Sequence, residues 1–317
     1  MHTATRTTID LDALAGIFPQ RVATASELLT LGLPGETLAT RCRPNGPWQH
    51  VLPGILLLSR TPPSRAQLVR AALRYSGPEA LLTGLDALQL HGMRALPATG
   101  PVQVLVNRAV EPTPRIRITR TRCLPDPVLR RGFLTVPLAR AAVDAARSLR
   151  TRDDIRAVLT EVVRQGGVQV ADLKPGLVRG SEPARQVLAE LTAGVRSVPE
   201  AWARTILHDL PLPPATWSAH LKSSRGDPLG TADAWWEDLA LAWQFTGSTS
   251  HPDPLAAAGA TVLHTTPADL RRSPTSVADA LLEAACQATT RPKPAITAHS
   301  LAYLPAQRTP HLPTTWP

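Results

Sequence analysis

Residues 230–270, GTADAWWEDLALAWQFTGSTSHPDPLAAAGATVLHTTPADL, change period three times within forty positions. Ala240 to Phe245 is almost wholly apolar and turn residues Thr246, Gly247 and Ser248 follow it, as expected of a strand covered on both faces. Pro254 to Ala258 reads as a short helix stopped by Gly259. Thr261 to His264 is a second apolar run, so the order strand, helix, strand predicts a parallel pair. Upstream, Thr231 to Trp236 is a candidate strand with one carboxylate, Asp233. Downstream, Thr266 is a predicted N-cap, with Pro267 at the first helical position and Asp269 at the third.

These residues resemble the C-terminal domains related to very-short-patch-repair endonucleases, of the PD-(D/E)XK nuclease superfamily. Ser197-Val198-Pro199-Glu200 matches that family's acidic first helix, Ala232-Asp233 its Asp after an apolar run, and Ala256 to Leu263 its helix-to-strand step. The resemblance implies a restriction-endonuclease-like fold with catalytic positions at Glu200, Asp233 and Gln244, and a metal ligand at Asp233. The chain departs from the family at its Glu-x-Asp-Gly element, which here reads Gln244-Phe245-Thr246-Gly247. A hydrolytic Mg²⁺ or Mn²⁺ ion needs clustered charged oxygens to hold it and to acidify its water. Two carboxylates are a small supply, even with Glu237 or Asp253 as substitutes, so the expectation is a degenerate nuclease domain that needs no cofactor. Were it active, Mg²⁺ would be the cofactor and a metal-dependent DNA endonuclease the activity.

Glu200 follows Pro199 at the start of a predicted helix, and Glu200, Ala203, Leu207 and Leu210 recur at spacings of three and four. That stripe aims Glu200 at the sheet; a first-turn Glu favoured by the helix dipole is the competing reading.

Upstream, residues 10 to 60 read as a winged helix-turn-helix. Thr24-Ala25-Ser26-Glu27 is a capping-box pattern opening a helix that stops at Gly32. Leu33-Pro34-Gly35 turns into a second helix, Glu36 to Arg43, and Trp48 to Leu58 forms two short strands about Pro53-Gly54. Here the chain resembles the N-terminal domain of AbiEi-type antitoxins of type IV toxin–antitoxin systems, at Gly16 to Phe18, Ala25 to Leu33, Val51 to Leu57, Gly77 to Thr83 and Leu90 to Gly92. A helix-turn-helix lays its second helix in the major groove, so Thr37, Thr40, Arg41 and Arg43, with Gln49 and His50 on the wing, are expected to contact DNA. The resemblance further implies promoter repression or opposition to a nucleotidyltransferase-type toxin.

Charge is unevenly placed. The 317 residues have a net charge of +9; residues 1–180 hold 24 Arg and Lys against 13 Asp and Glu, whereas residues 181–317 hold 10 against 12. An acidic partner would therefore meet the first part, although residues 10–59 are balanced at three against four. Val102 to Val106 and Arg115 to Thr119 read as a strand pair, the second presenting Arg115 and Arg117 on its open face. Arg120 and Arg122 have the opposite parity and join that face only across a bulge near Thr119. All four are candidate phosphate contacts.

Between these segments, residues 64 to 92 are expected to be helical with a break at Gly77-Pro78. Residues 135 to 146 resemble a helix start common in the antitoxin-like family, in which Asp144 reads as a packing or capping acid. Cys42, Cys123 and Cys286 have no zinc spacing and no disulfide framework, and no run approaches the roughly 18 apolar residues of a membrane span. The expectation is a cytoplasmic protein without membrane association. The chain is thus expected to be α+β, with a winged helix at 1–60, a mixed α/β region at 61–180, a degenerate endonuclease-like α/β domain at 181–287 and a disordered Pro/Thr-rich tail at 288–317.

Overall fold

A computed structural model describes residues 11–177, 181–245 and 253–300. The chain is α+β and divides into two compact units that meet in sequence at Leu188 and Ala189.

The first unit opens with α1 (Leu11–Ile17), a turn of 3₁₀ helix at Pro19–Arg21, β1 (Val22–Thr24), α2 (Ala25–Thr30), α3 (Gly35–Arg41), β2 (Gln49–Leu52) and β3 (Ile55–Leu57). Thr24 caps α2 in a capping box closed by Glu27, as its sequence predicts. Gly32, at φ +90°, ends α2, and Gly54, at φ +71°, turns the wing between β2 and β3. The small sheet runs β1-β3-β2, all antiparallel, over a core of Leu14, Leu28, Leu38, Trp48 and Leu56.

α4 (Arg65–Ser76) follows, then β4 (Leu81–Leu82), α5 (Gly84–Leu90), β5 (Val102–Val106), β6 (Ile116–Arg120), β7 (Val128–Arg130), β8 (Phe133–Thr135), α6 (Leu138–Ser148), α7 (Arg152–Gly166), α8 (Val170–Leu177) and α9 (Glu182–Thr192). The five-stranded sheet has the order β6-β5-β4-β8-β7. Leu81 and Leu82, expected in a helix, are instead its central strand. They pair with Leu105 and Val104 of β5 and, at Leu82, with Thr135 of β8; Gly84, at φ +67°, then lets α5 begin tight against Gln103, where a Cβ would lie 1.6 Å from the Gln103 Oε1. The break expected at residue 60 separates no compact unit, because α4 packs on β1, β2, β3 and β5 alike.

The second unit contains α10 (Val198–His208), β9 (Thr216–Ser223), β10 (Pro228–Trp236), β11 (Leu241–Gln244), α11 (Pro254–Ala257), β12 (Thr261–His264), α12 (Pro267–Arg272), α13 (Pro274–Thr289) and β13 (Ile296–Ser300). Its sheet runs β12-β11-β10-β9-β13. β11 and β12 are parallel and the other pairings antiparallel. Trp236, Leu241, Trp243 and Phe245 pack with Ala203 of α10, Leu270 of α12 and Leu281 of α13. On the opposite face Trp235, Ala240 and Ala242 pack with Leu255 of α11.

The tail expectation is corrected in part. α13 continues to Thr289, and Ile296–Ser300 is a strand on β9, with Ile296 opposite Ser223 and Ser300 opposite Ala219. Short alternation of Ile296 and Ala298 buries only one or two side chains, so no sustained period announced it. Residues 301–317 lie outside the described residues.

Candidate nucleic-acid interface and candidate metal centre

Two places carry the expected site residues, one in each unit. In the first, the α2–turn–α3 step and the β2–β3 wing position the candidate DNA contacts. Leu38 is buried and fixes the α3 face that packs inward. Thr40, Arg43 and His50 are exposed and Thr37 is half-buried. The Arg41 guanidinium lies 5.4 Å from the Trp48 ring centroid, a cation–π contact that holds it along the helix. The Gln49 Nε2 donates to the carbonyls of Ser59 and Thr61, at 2.9 and 2.6 Å, and ties off the chain leaving the wing.

The four arginines around β6 do not form one face. β6 pairs in parallel with β5 without interruption from Val102 opposite Ile116 to Val106 opposite Arg120, so no bulge reverses the parity at Thr119. Arg120 therefore belongs to the face opposite Arg117, while Arg115 and Arg122 flank the strand. All four are exposed. Arg117 Nη1 donates to the Ser148 carbonyl at 3.0 Å, and Arg120 and Arg122 line an open cavity with Asn107 and Thr121.

In the second unit the strand registers bring Asp233, Gln244 and His264 side by side. Asp233 immediately precedes Ala234, which pairs with Trp243, and Gln244 pairs with His264 across the parallel step. The Asp233 Oδ2 accepts from the Phe245 N–H at 2.7 Å. Burial raises its pKa above the ordinary carboxylate value, and the Phe245 N–H only partly opposes that. The Gln244 Nε2 donates to the Thr231 carbonyl at 2.8 Å, a bond that a glutamate could not make. His264 Nε2 lies 3.4 Å from Asp253 Oδ2, and Asp253 also caps α11 through the Leu255 N–H. His264 is absent from the sequence-derived site; the signal for it was its place at the end of a strand predicted to run parallel to the one ending at Gln244.

Glu200 is not part of this group. It is buried, with 4% of its surface exposed, but both its oxygens are engaged: Oε1 by Arg204 Nε and Nη2 at 3.0 and 2.8 Å, Oε2 by the Arg196 N–H at 3.0 Å. Arg204 in turn stacks 4.6 Å from the Trp217 centroid. The first-turn reading thus describes Glu200: it serves the start of α10, whose N-cap is Ser197. Among the described residues no three His, Cys, Asp or Glu side chains are grouped to hold a metal ion. Thr246 and Gly247, the rest of the altered family element, lie outside the described residues, as do Ser248 to Pro252.

A pH dependence follows from Asp233. Its folded pKa is raised, so the stability linked to it is greatest below the unfolded value of about 3.9 and is lost as pH rises through the folded value. Asp233→Asn keeps an oxygen for the Phe245 N–H and removes the buried charge. The variant is expected to melt above the wild type at pH 7 and to show no such gain at pH 3.5. Equal melting temperatures at pH 7 would show that the charge is not costly there.

No protein-family model matches the chain, and no curated protein matches it. Among solved structures it is similar to the RV2827C protein from Mycobacterium tuberculosis, with a TM-score of 0.41 and 14% identity, covering 66% of this chain and 87% of that one.

Proposed function

We propose that the chain is a DNA-associated regulatory protein of antitoxin-like type, with α3 and the wing meeting the duplex and the nuclease-like second unit serving as scaffold. One observation carries the reading: a capped helix, a tight turn, a second helix and a two-stranded wing leave Thr40 on α3, His50 on the wing and Arg43 in the loop between them exposed, α3 ending at Arg41 rather than at Arg43 as expected. The excess of 24 cationic over 13 anionic residues in 1–180 supports it, because release of phosphate counterions supplies most non-specific affinity. The resemblance to AbiEi-type antitoxins adds a nucleotidyltransferase-type toxin as a partner, and the scattered cysteines favour the cytoplasm as the compartment. Among the described residues no helix is long and apolar enough to cross a membrane.

The test is fluorescence anisotropy on labelled duplex DNA across a salt series. Arg43→Ala with His50→Ala should weaken binding about tenfold at moderate salt and flatten the log–log salt slope by about 0.9, for the one phosphate that Arg43 would neutralise. A wild type that retards no duplex while binding a nucleotidyltransferase would place the function in protein contacts alone.

A second reading, a very-short-patch-repair type endonuclease with a rearranged site, draws on the alignment of Asp233 with His264 and Asp253. It predicts Mn²⁺-dependent nicking abolished by Asp233→Ala. The chemistry of the side chains favours the first reading, since Glu200 is neutralised by Arg204 and Gln244 is committed as a donor. In Gln244→Glu two oxygens face each other at Thr231, and about 1–3 kcal/mol of stability should be lost. Full recovery of that loss on adding Mn²⁺ would revive the nuclease reading.

A further inference from the structure

The β7–β8 hairpin lies outside everything assigned so far. Its turn is Arg131-Gly132, both left-handed at φ +47° and +79°, the geometry of a two-residue hairpin turn in which Asn or Gly is usual at the first position. Arginine occupies it instead. Arg130 pairs with Phe133 and Leu129 with Leu134. Phe133 is buried, while Leu129 is 64% and Leu134 39% exposed, so two leucines form an apolar cross-strand pair on the outer face. A single guanidinium, that of Arg70, fixes the turn. It lies 4.4 Å from the Phe133 centroid, donates to the Gly132 carbonyl at 3.0 Å and donates to Gln20 Oε1 at 2.8 Å. Gln20 and its neighbour Arg21 are themselves left-handed. Arg70 thus brings Arg21 and Arg131 to the same neighbourhood, each on backbone held by its neighbour. Arg21, Arg130 and Arg131 are exposed, and among the described residues none has an acidic partner.

We infer that this hairpin is a second DNA contact, separate from α3, in which Arg21 and the turn residue Arg131 meet phosphates and the Leu129–Leu134 pair presses against the minor groove; Arg130, paired with Phe133, lies on the other face. The inference rests on the DNA-binding reading above. Apolar wedges flanked by cations are how small hairpins and arms unstack and bend a duplex, and one or two exposed leucines suffice for that. A protein partner would need some 800 Å² of complementary surface, far more than the Leu pair provides. A second copy of the chain is opposed by the positive charges of Arg21 and Arg131, which it would have to face.

The experiment uses the full chain and a 30-base-pair duplex carrying donor and acceptor dyes at its ends. Arg21→Ala with Arg131→Ala should weaken binding about tenfold and flatten the log–log salt slope by about 1.8, for two phosphates released. Arg131→Glu should weaken it further. Leu129→Ser with Leu134→Ser should leave the slope unchanged and lower the energy transfer that reports the bend. If the wild type binds, and Arg43→Ala weakens it, but the hairpin variants match the wild type in affinity, slope and energy transfer, the hairpin is not a DNA contact and the reading of the helix-turn-helix region stands. If the wild type binds no duplex at any salt, both fall together.

Discussion

Trp243→Ala is expected to unfold the second unit at a temperature well below the wild type. The indole is fully buried in β11, stacked on Trp236 at 6.4 Å between centroids and edge-on to Phe245 at 5.1 Å. Its Nε1 donates to the buried Thr265 Oγ1 at 2.9 Å. Truncation to alanine opens a cavity between the sheet and α13 and removes the donor that faces Thr265. Large aromatic truncations in a core cost about 3–5 kcal/mol, which for a unit of this size is a fall of roughly 12–25 °C. Thr265→Val separates the two contributions, since it deletes the hydroxyl alone and should cost about 1–2 kcal/mol. Calorimetry of the two variants checks this. A Trp243→Ala melt within a few degrees of the wild type would mean that α13 does not seal the sheet as described.

Arg65→Met should cost a comparable amount in the first unit. Arg65 holds Asp86 in a fork, Nε to Oδ1 at 2.6 Å and Nη2 to Oδ2 at 2.7 Å, and its Nη1 donates to the Gly100 carbonyl at 2.8 Å. Asp86 has 1% of its surface exposed. Removing one partner of such a buried pair costs about 3–5 kcal/mol. Burial already raises the Asp86 pKa above the ordinary carboxylate value, with Arg65 pulling it down only in part. A raised folded pKa means that the linked stability is complete below about pH 3.9 and is lost as pH rises through the folded value. Without Arg65 that value climbs further, so the deficit of the variant should be largest at pH 7 and shrink on acidification to pH 4.5. Adding Asp86→Asn should recover part of it at pH 7. Urea melts at the two pH values decide the matter, and a deficit that grows in acid would contradict the assignment.

What could be read from the residues alone was local. Thr24 with Glu27 announces a capping box and Thr266 an N-cap, and both are present, the second also closed into a box by Asp269. The apolar run ending at Phe245 and the one ending at His264 foretell parallel strands because a short helix stands between them. The misreadings come from information that is not local. Leu81-Leu82 is a strand because it pairs with Leu105, Val104 and Thr135, all more than twenty residues away. The parity of Arg117 and Arg120 was visible, but whether β6 bulges depended on its partner β5. At the second site, composition shows an amide in place of a carboxylate at residue 244, yet only the fold shows that this amide is bonded to Thr231 and that Glu200 is occupied by Arg204. A carboxylate on the right helix stripe is not thereby a free ligand.

The last described strand has a practical corollary. β13 covers the outer side of β9, an eight-residue strand whose backbone would otherwise present a row of open donors and acceptors. Proteolytic clipping before Ile296 would strip that cover and leave an adhesive border of the kind that recruits other chains edge to edge. Shortened forms of this protein should therefore associate more readily than the longer form, because the 8-residue β9 is a longer open edge than the 5-residue β13, and light scattering before and after limited digestion would reveal it.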